Sequence, residues 1–156
     1  LCQQISQQMT TNERLERLLI NKGIRPTALR ILIFRTLQEK ENALSLADLE
    51  AELKTVDKST IYRTLSVLLQ HTLIHSIDDG EGITKYGACP DGCTCNAAEH
   101  SGFSDLHLHF TCEHCHRTYC FRGMPVPKVN VPEGFQIHSA NYMLMGLCPE
   151  CEKYKH

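Results

Sequence analysis

Apolar positions in the first half of the chain recur with helical spacing, and residues of capping type stand at the start of each run. Thr11, Asn12 and Glu13 open an expected helix that runs to Lys22 and stops at Gly23. Pro26-Thr27 opens a second, continuing to about Glu39, with Leu29, Leu32, Ile33 and Leu37 on its buried side. Ser45 caps a short third helix carrying Leu46, Leu49 and Leu53 at helical spacing. Asp57-Lys58-Ser59 starts a fourth, whose apolar stripe is Ile61, Leu65, Leu68 and Leu69. The period then shortens. Segments 73–77 and 83–86 flank Asp78-Asp79-Gly80-Glu81-Gly82 as strand, turn and strand. Helices followed by a hairpin is the plan of a winged helix-turn-helix.

Further on, Leu106-His107-Leu108-His109-Phe110 alternates strictly. On a strand, His107 and His109 share one face while the apolar residues pack on the other. Two imidazoles at i and i+2 are half of a metal site. His75, at the hairpin, and Cys89, just past it, are candidate partners, giving three imidazole nitrogens and one thiolate. That donor set, held tetrahedrally, suits Zn(II) better than a harder, oxygen-seeking ion. It would join the two halves of the chain, so its occupancy would set their relative orientation.

Cys112-x-x-Cys115 and Cys148-x-x-Cys151 are paired hooks with 32 residues between them. Each hook presents two thiolates from one tight turn, and two hooks close a tetrahedral structural zinc site. A single such pair would equally suit redox chemistry; two, without a thioredoxin-like βαβ context, favour zinc. Ligation of this kind contributes on the order of 10 kcal/mol to folding a small module.

Composition sharpens the division. The chain has 156 residues, nine Cys, nine His and a net charge of −2. Residues 1–77 hold ten Lys/Arg against eight Asp/Glu, whereas 78–156 hold six against ten. Eight of the nine cysteines lie from Cys89 onward and eight of the nine histidines from His75 onward. A winged-helix domain over 1–87, a Cys-rich hinge over 88–105 and a zinc-containing domain over 106–156 are the expected units. No run approaches the roughly 18 apolar residues of a membrane span. The Gln-rich start lacks the basic-then-apolar pattern of a secretory signal, so a cytoplasmic protein with reduced thiols is expected.

On the fourth helix, opposite the apolar stripe, Ser59, Tyr62, Arg63 and Ser66 fall at i, i+3, i+4 and i+7. Arginine pairs bidentately with guanine, and hydroxyl or aromatic groups contact phosphates and thymine methyls. A surface helix facing water shows a similar stripe, so periodicity alone leaves DNA reading and mere solvation both open.

Four stretches, in order, resemble the ferric uptake regulator family. They are Gly23-x-Arg25-x-Thr27-x-x-Arg30, Thr60-Ile61-Tyr62-Arg63-x-Leu65, His107-x-His109-x-x-Cys112-x-x-Cys115, and Gly134-Phe135 leading to Gly146-x-Cys148-x-x-Cys151. The resemblance covers nearly the whole chain from about residue 13. It implies an α+β fold, with an N-terminal winged helix and a small C-terminal α/β dimerisation domain. It also implies a homodimer that binds palindromic double-stranded operators as a metal-dependent repressor. Tyr62 and Arg63 match the recognition-helix pair, Arg30 adds a DNA contact, and Cys112, Cys115, Cys148 and Cys151 match the structural zinc. Within the family, His75, Cys89, His107 and His109 look like the regulatory site of the zinc uptake regulator branch, so a second, exchangeable divalent metal, zinc first, is implied. Iron- and peroxide-sensing members usually place a His just before the third helix, where this chain has Ala43-Leu44.

The chain departs from the family in two places. The family's His-His-Asp-His run appears as Leu106-His107-Leu108-His109, so an additional site using its first His and its Asp is expected to be missing. An insertion-like segment, 90–104, adds Cys93, Cys95 and His100, and Cys120 is a further unassigned thiol. These are candidates to replace a named ligand, hold another metal or form a redox pair. Competing readings keep the fold but sense iron, another divalent metal or thiol oxidation. More distant ones are a zinc-ribbon interaction module and a thiol- or zinc-dependent enzyme. No nucleophile–base–orienter pattern and no HExxH accompanies the His/Cys sets, so neither enzymatic activity nor a small-molecule substrate is expected.

Overall fold

Capping sets the helices. Thr10 accepts from the Glu13 N–H at 3.3 Å and the Glu13 carboxylate accepts from the Thr10 N–H at 2.8 Å, a reciprocal box that starts α1, Thr11–Asn21. Gly23, at φ +74°, ends it: its N–H and that of Ile24 return to the carbonyls of Ile20 and Leu19. The Thr27 hydroxyl caps α2, Ala28–Glu39. Four residues then extend as β1, Asn42–Ser45, and Ser45 with Asp48 forms the box that begins α3, Leu46–Glu52. Asp57 caps α4, Lys58–Gln70. The hairpin follows as β2, Ile74–Asp78, and β3, Thr84–Ala88, with Gly80 and Gly82 both near φ +80° in its turn. Next come β4, Leu108–Cys112; β5, Thr118–Phe121; β6, Tyr142–Gly146; and one turn of helix, α5, Pro149–Glu152.

The computed structural model describes residues 10–78, 80, 82–89, 108–121, 124–127, 129–137 and 140–154. Of the residues singled out from the sequence, Cys93, Cys95, His100 and His107 lie outside these.

The fold is α+β, and its N-terminal part is the winged helix-turn-helix expected, with every helix starting within two residues of its capping signal. Leu15, Leu19, Ile33, Phe34, Leu49, Ile61, Leu65 and Leu68 are essentially buried and make one core, closed below by Ile74 and Tyr86 of the hairpin. Burying each such side chain is worth about 1.5–3 kcal/mol, so this half holds itself together.

Beyond residue 107 the interior is different. The buried side chains among the described residues there are His109, Thr111, Cys112, Thr118 and Cys148, with no Leu, Ile or Val. Backbone pairing carries this half: β4 runs antiparallel to β5 and parallel to β6. The strand order is β2-β3-β1-β5-β4-β6, and β1 is the junction. Its residues Asn42 and Ala43 pair with β5, while Leu44 and Ser45 pair with β3. No periodicity could reveal β1, since four residues, Asn-Ala-Leu-Ser, run straight into a helix cap.

Lys85 reinforces the junction. It is 6% exposed on β3, and its Nζ donates to the His116 carbonyl at 2.5 Å and to Thr118 Oγ1 at 3.0 Å. Thr118 Oγ1 in turn lies 3.0 Å from Thr111 Oγ1 on β4. The wing is thereby tied to the turn that carries the first cysteine hook.

Candidate metal centres and nucleic-acid interface

Parallel pairing of β4 with β6 brings two chain reversals side by side. Cys112, the last residue of β4, is in register with Gly146, the last of β6, and each strand runs into a hook. Cys112, Cys115, Cys148 and Cys151 result, with all four sulfurs within 4.8 Å of one another. Cys115 Sγ is 3.8 Å from Cys148 Sγ, and the Cys148 N–H donates to Cys112 Sγ at 3.3 Å.

Burial opposes ionisation of Cys112, but the N–H groups of Cys115, Cys148 and His114 outweigh it and bring the thiol down to about 6. The Cys151 N–H likewise lowers Cys148. Burial raises Cys115, and burial with the three neighbouring sulfurs pushes Cys151 up to about 12. In each hook one sulfur, Cys112 or Cys148, is thus shifted toward the thiolate and the other, Cys115 or Cys151, away from it. Four sulfurs so placed fit tetrahedral zinc.

A second cluster lies where the hairpin meets the C-terminal strands. A hairpin folded at the Cys112–Cys115 turn sets His109 directly opposite Cys120 across β4 and β5. His75 on β2 joins them. Its Nε2 is 3.0 Å from Cys120 Sγ, its ring centroid is 6.0 Å from that of His109, and the three ligand atoms lie within 4.8 Å of one another. Cys89 Sγ stands 3.8 Å from the other ring nitrogen, Nδ1, of His75. The structure thus brings together His75, His109 and Cys120, with Cys89 on the far side of the imidazole. Cys120 is the member that strand patterning could not assign; the hairpin register about the hook was the signal available. Two imidazoles and a thiolate suit a borderline-soft divalent ion. A cavity of about 320 Å³ reaches this cluster, its lining including Arg14, Gln38 and Lys40 as well as His75, Cys89 and Cys120.

On α4 the polar stripe is solvent-facing. Ser59, Arg63 and Ser66 are exposed and Tyr62 is 56% exposed. Arg63 Nε donates to the Ser59 carbonyl at 3.3 Å, which lays the guanidinium along the helix surface. Ser59 Oγ donates to Asp57 at 2.5 Å. Hydrogen bonds from the Ser59 and Thr60 hydroxyls and the Thr60 N–H hold the Asp57 carboxyl down at about 2, so the N-cap stays charged. Arg30 sits in the first turn of α2 with its guanidinium on the Arg25 carbonyl at 2.8 Å.

A winged helix with an exposed recognition-type face, joined to a cysteine-clamped sheet and a His/Cys cluster at the junction, defines a metal-binding DNA-binding regulator. The family follows from the chain itself: residues 21–142 match the model of the ferric uptake regulator family, and the chain belongs to it. It is a metal-responsive, DNA-binding transcription regulator of that family.

Among solved structures, the chain is similar to the Helicobacter pylori ferric uptake regulator Fur, with 19% identity over 94% of this chain and 97% of that one and a TM-score of 0.55. It is similar to a holo form of XcZur, with 17% identity over 91% and 96% of the two chains and a TM-score of 0.60. A zinc uptake regulator complexed with zinc and DNA is 18% identical over 94% and 99%, with a TM-score of 0.59. At these identities the likeness is one of fold. No curated protein is similar enough in sequence to count as a match. No helix among the described residues is long and apolar enough to cross a membrane.

Proposed function

We propose that the protein is a zinc-responsive repressor, a cytoplasmic homodimer that binds palindromic operators when its exchangeable site is filled. The observation that carries this reading is the meeting of His75, from the wing, with His109 and Cys120, from the C-terminal sheet. A bound zinc ion would supply a cross-link between donors of the two halves. Cys112, Cys115, Cys148 and Cys151 would hold a second, permanent zinc that does the work of the large aliphatic side chains absent from the buried set among the described residues there. Cys89, beside Nδ1 of His75, either orients that ring or completes the ligand set, and His107 remains a candidate ligand.

The residues themselves do the rest. Fixing His75 against Cys120 fixes β2, and through the hairpin and the core it fixes α4. Tyr62 and Arg63 then read a major groove, with Ser59 and Arg30 contacting the backbone. Two-fold pairing would set the half-site spacing at about one helical turn. The exposed Leu144 and Met145 of the edge strand β6, together with Val129, Val131 and Phe135, give that half the apolar surface a second copy would cover.

Support for zinc over iron is the thiolate at position 120 and the absence of an imidazole at Ala43. The similarity in fold to a zinc uptake regulator complexed with zinc and DNA is consistent with it. The test is a titration of Zn(II), Fe(II) and Mn(II) against binding to a duplex that the protein itself selects from a random pool. Zn(II) should restore binding after mild chelation at the lowest free concentration. Preferential restoration by Fe(II) or Mn(II) would overturn the assignment.

A further inference from the structure

We propose that Gly87 is a positioning residue for the exchangeable metal site, because its missing side chain is what lets His75 lean toward Cys120. The inference rests on the metal-site reading above. His75 and Gly87 are cross-strand partners on β2 and β3, so their side-chain positions share one face of the ladder. The His75 ring occupies the space over its partner. A Cβ at position 87 would fall 3.0 Å from Cε1 and 3.1 Å from Nε2 of His75. Ordinary contacts between such heavy atoms lie at about 3.5–4.0 Å. The crowded nitrogen, Nε2, is the one that faces Cys120 Sγ.

A methyl group there leaves the imidazole two options: to rotate off Cys120, or to force β2 and β3 apart. Either one moves the donor atom by a few tenths of an ångström, more than the roughly 0.2 Å that metal–ligand distances tolerate. Gly87 does not need a special backbone conformation; its requirement comes wholly from the ring above it. The atoms that crowd a Cβ at position 87 all belong to the His75 ring, so that ring is what distinguishes glycine from alanine there.

The experiment uses the full chain with the four-cysteine zinc in place. Zn(II) is titrated in competition with a chromophoric chelator, and Co(II) spectra are recorded, for the unmodified protein, Gly87→Ala, Gly87→Val, His75→Ala and the double variant Gly87→Ala/His75→Ala. Gly87→Ala should weaken the exchangeable site by about 10–100-fold, the range seen for residues that orient a ligand, and Gly87→Val by more. The Co(II) ligand-field bands of that site should weaken while the tightly held zinc content stays unchanged. In the double variant the alanine should cost nothing beyond His75→Ala, since its effect passes through that ring. Any melting-temperature loss of Gly87→Ala should likewise be relieved when His75 is absent. Unmodified affinity and spectrum in Gly87→Ala would overturn the proposal, and so would an additive loss, or a destabilisation that persists without His75. A His75→Ala protein that still takes the second metal normally would instead overturn the site itself.

Discussion

Nε2 of His75 and Sγ of Cys120 lie 3.0 Å apart, although β2 and β5 are not neighbours in the sheet. Two residues 45 positions apart in the chain meet there, and His109 completes the triangle. Removing one donor from such a set should release the ion it holds. Cys120→Ala and His109→Ala are each expected to weaken the exchangeable metal by more than about 100-fold, exceeding the loss typical of orienting residues. Cys89→Ala should cost less if its contact is only with Nδ1 of His75. Metal content after dialysis against a mild chelator checks the set: one tight zinc should stay in every variant.

Arg63→Ala should weaken binding to the selected duplex by about 1–3 kcal/mol, the worth of one good bidentate contact. Its guanidinium makes a single long bond to the Ser59 carbonyl, so folding, metal content and oligomeric state should not change. Fluorescence anisotropy with a labelled duplex, alongside metal analysis, measures both. Equal affinity in the variant would remove α4 as the reading element.

Cys148→Ser should lose the permanent zinc and with it most of the order beyond residue 107, because the buried set among the described residues there contains no large aliphatic side chain. The stake is on the order of 10 kcal/mol. Circular dichroism should show loss of strand signal while the N-terminal helices persist. Acid should act in the same direction. Without metal, the Cys112 thiol is depressed from 9.0 to about 6, so its stabilising effect is complete above 9.0 and disappears as pH falls through about 6. Protons also compete with metal for the sulfurs, so zinc release should rise over the same fall in pH.

Lys85→Met tests the link between wing and hook. The ammonium bonds to His116 and Thr118 are charge-assisted, worth about 1.5–3 kcal/mol each at the upper end of hydrogen-bond values. The variant should keep both metals yet show a smaller metal-induced gain in DNA affinity. Lower melting temperature with full coupling would confine Lys85 to a structural role.

Legibility of the fold followed the strength of local signals. α1 to α4 were readable because Thr27, Ser45 and Asp57 cap periodic apolar runs, and the hairpin because Gly80 and Gly82 punctuate it. β1 was not, since Ala43 and Leu44 pair with partners more than 40 residues away and carry no pattern of their own. β5 and β6 were equally silent: Thr118, buried, and Cys120, half-buried, would read as a solvated face elsewhere. The cysteine hooks were plain from spacing alone. Within the second cluster, His75 and His109 were visible as strand residues near other ligands, while Cys120 and Gly87 owe their roles to cross-strand register, which is a tertiary property.

The most direct test of the account is operator affinity with and without the exchangeable ion, compared between the unmodified protein and Cys120→Ala. Adding Zn(II) to chelator-treated protein should tighten binding at least about tenfold, within the usual range of coupling between sites, and should do nothing to the variant. Equal affinity in the presence and absence of Zn(II), with the four-cysteine zinc still bound, would contradict it.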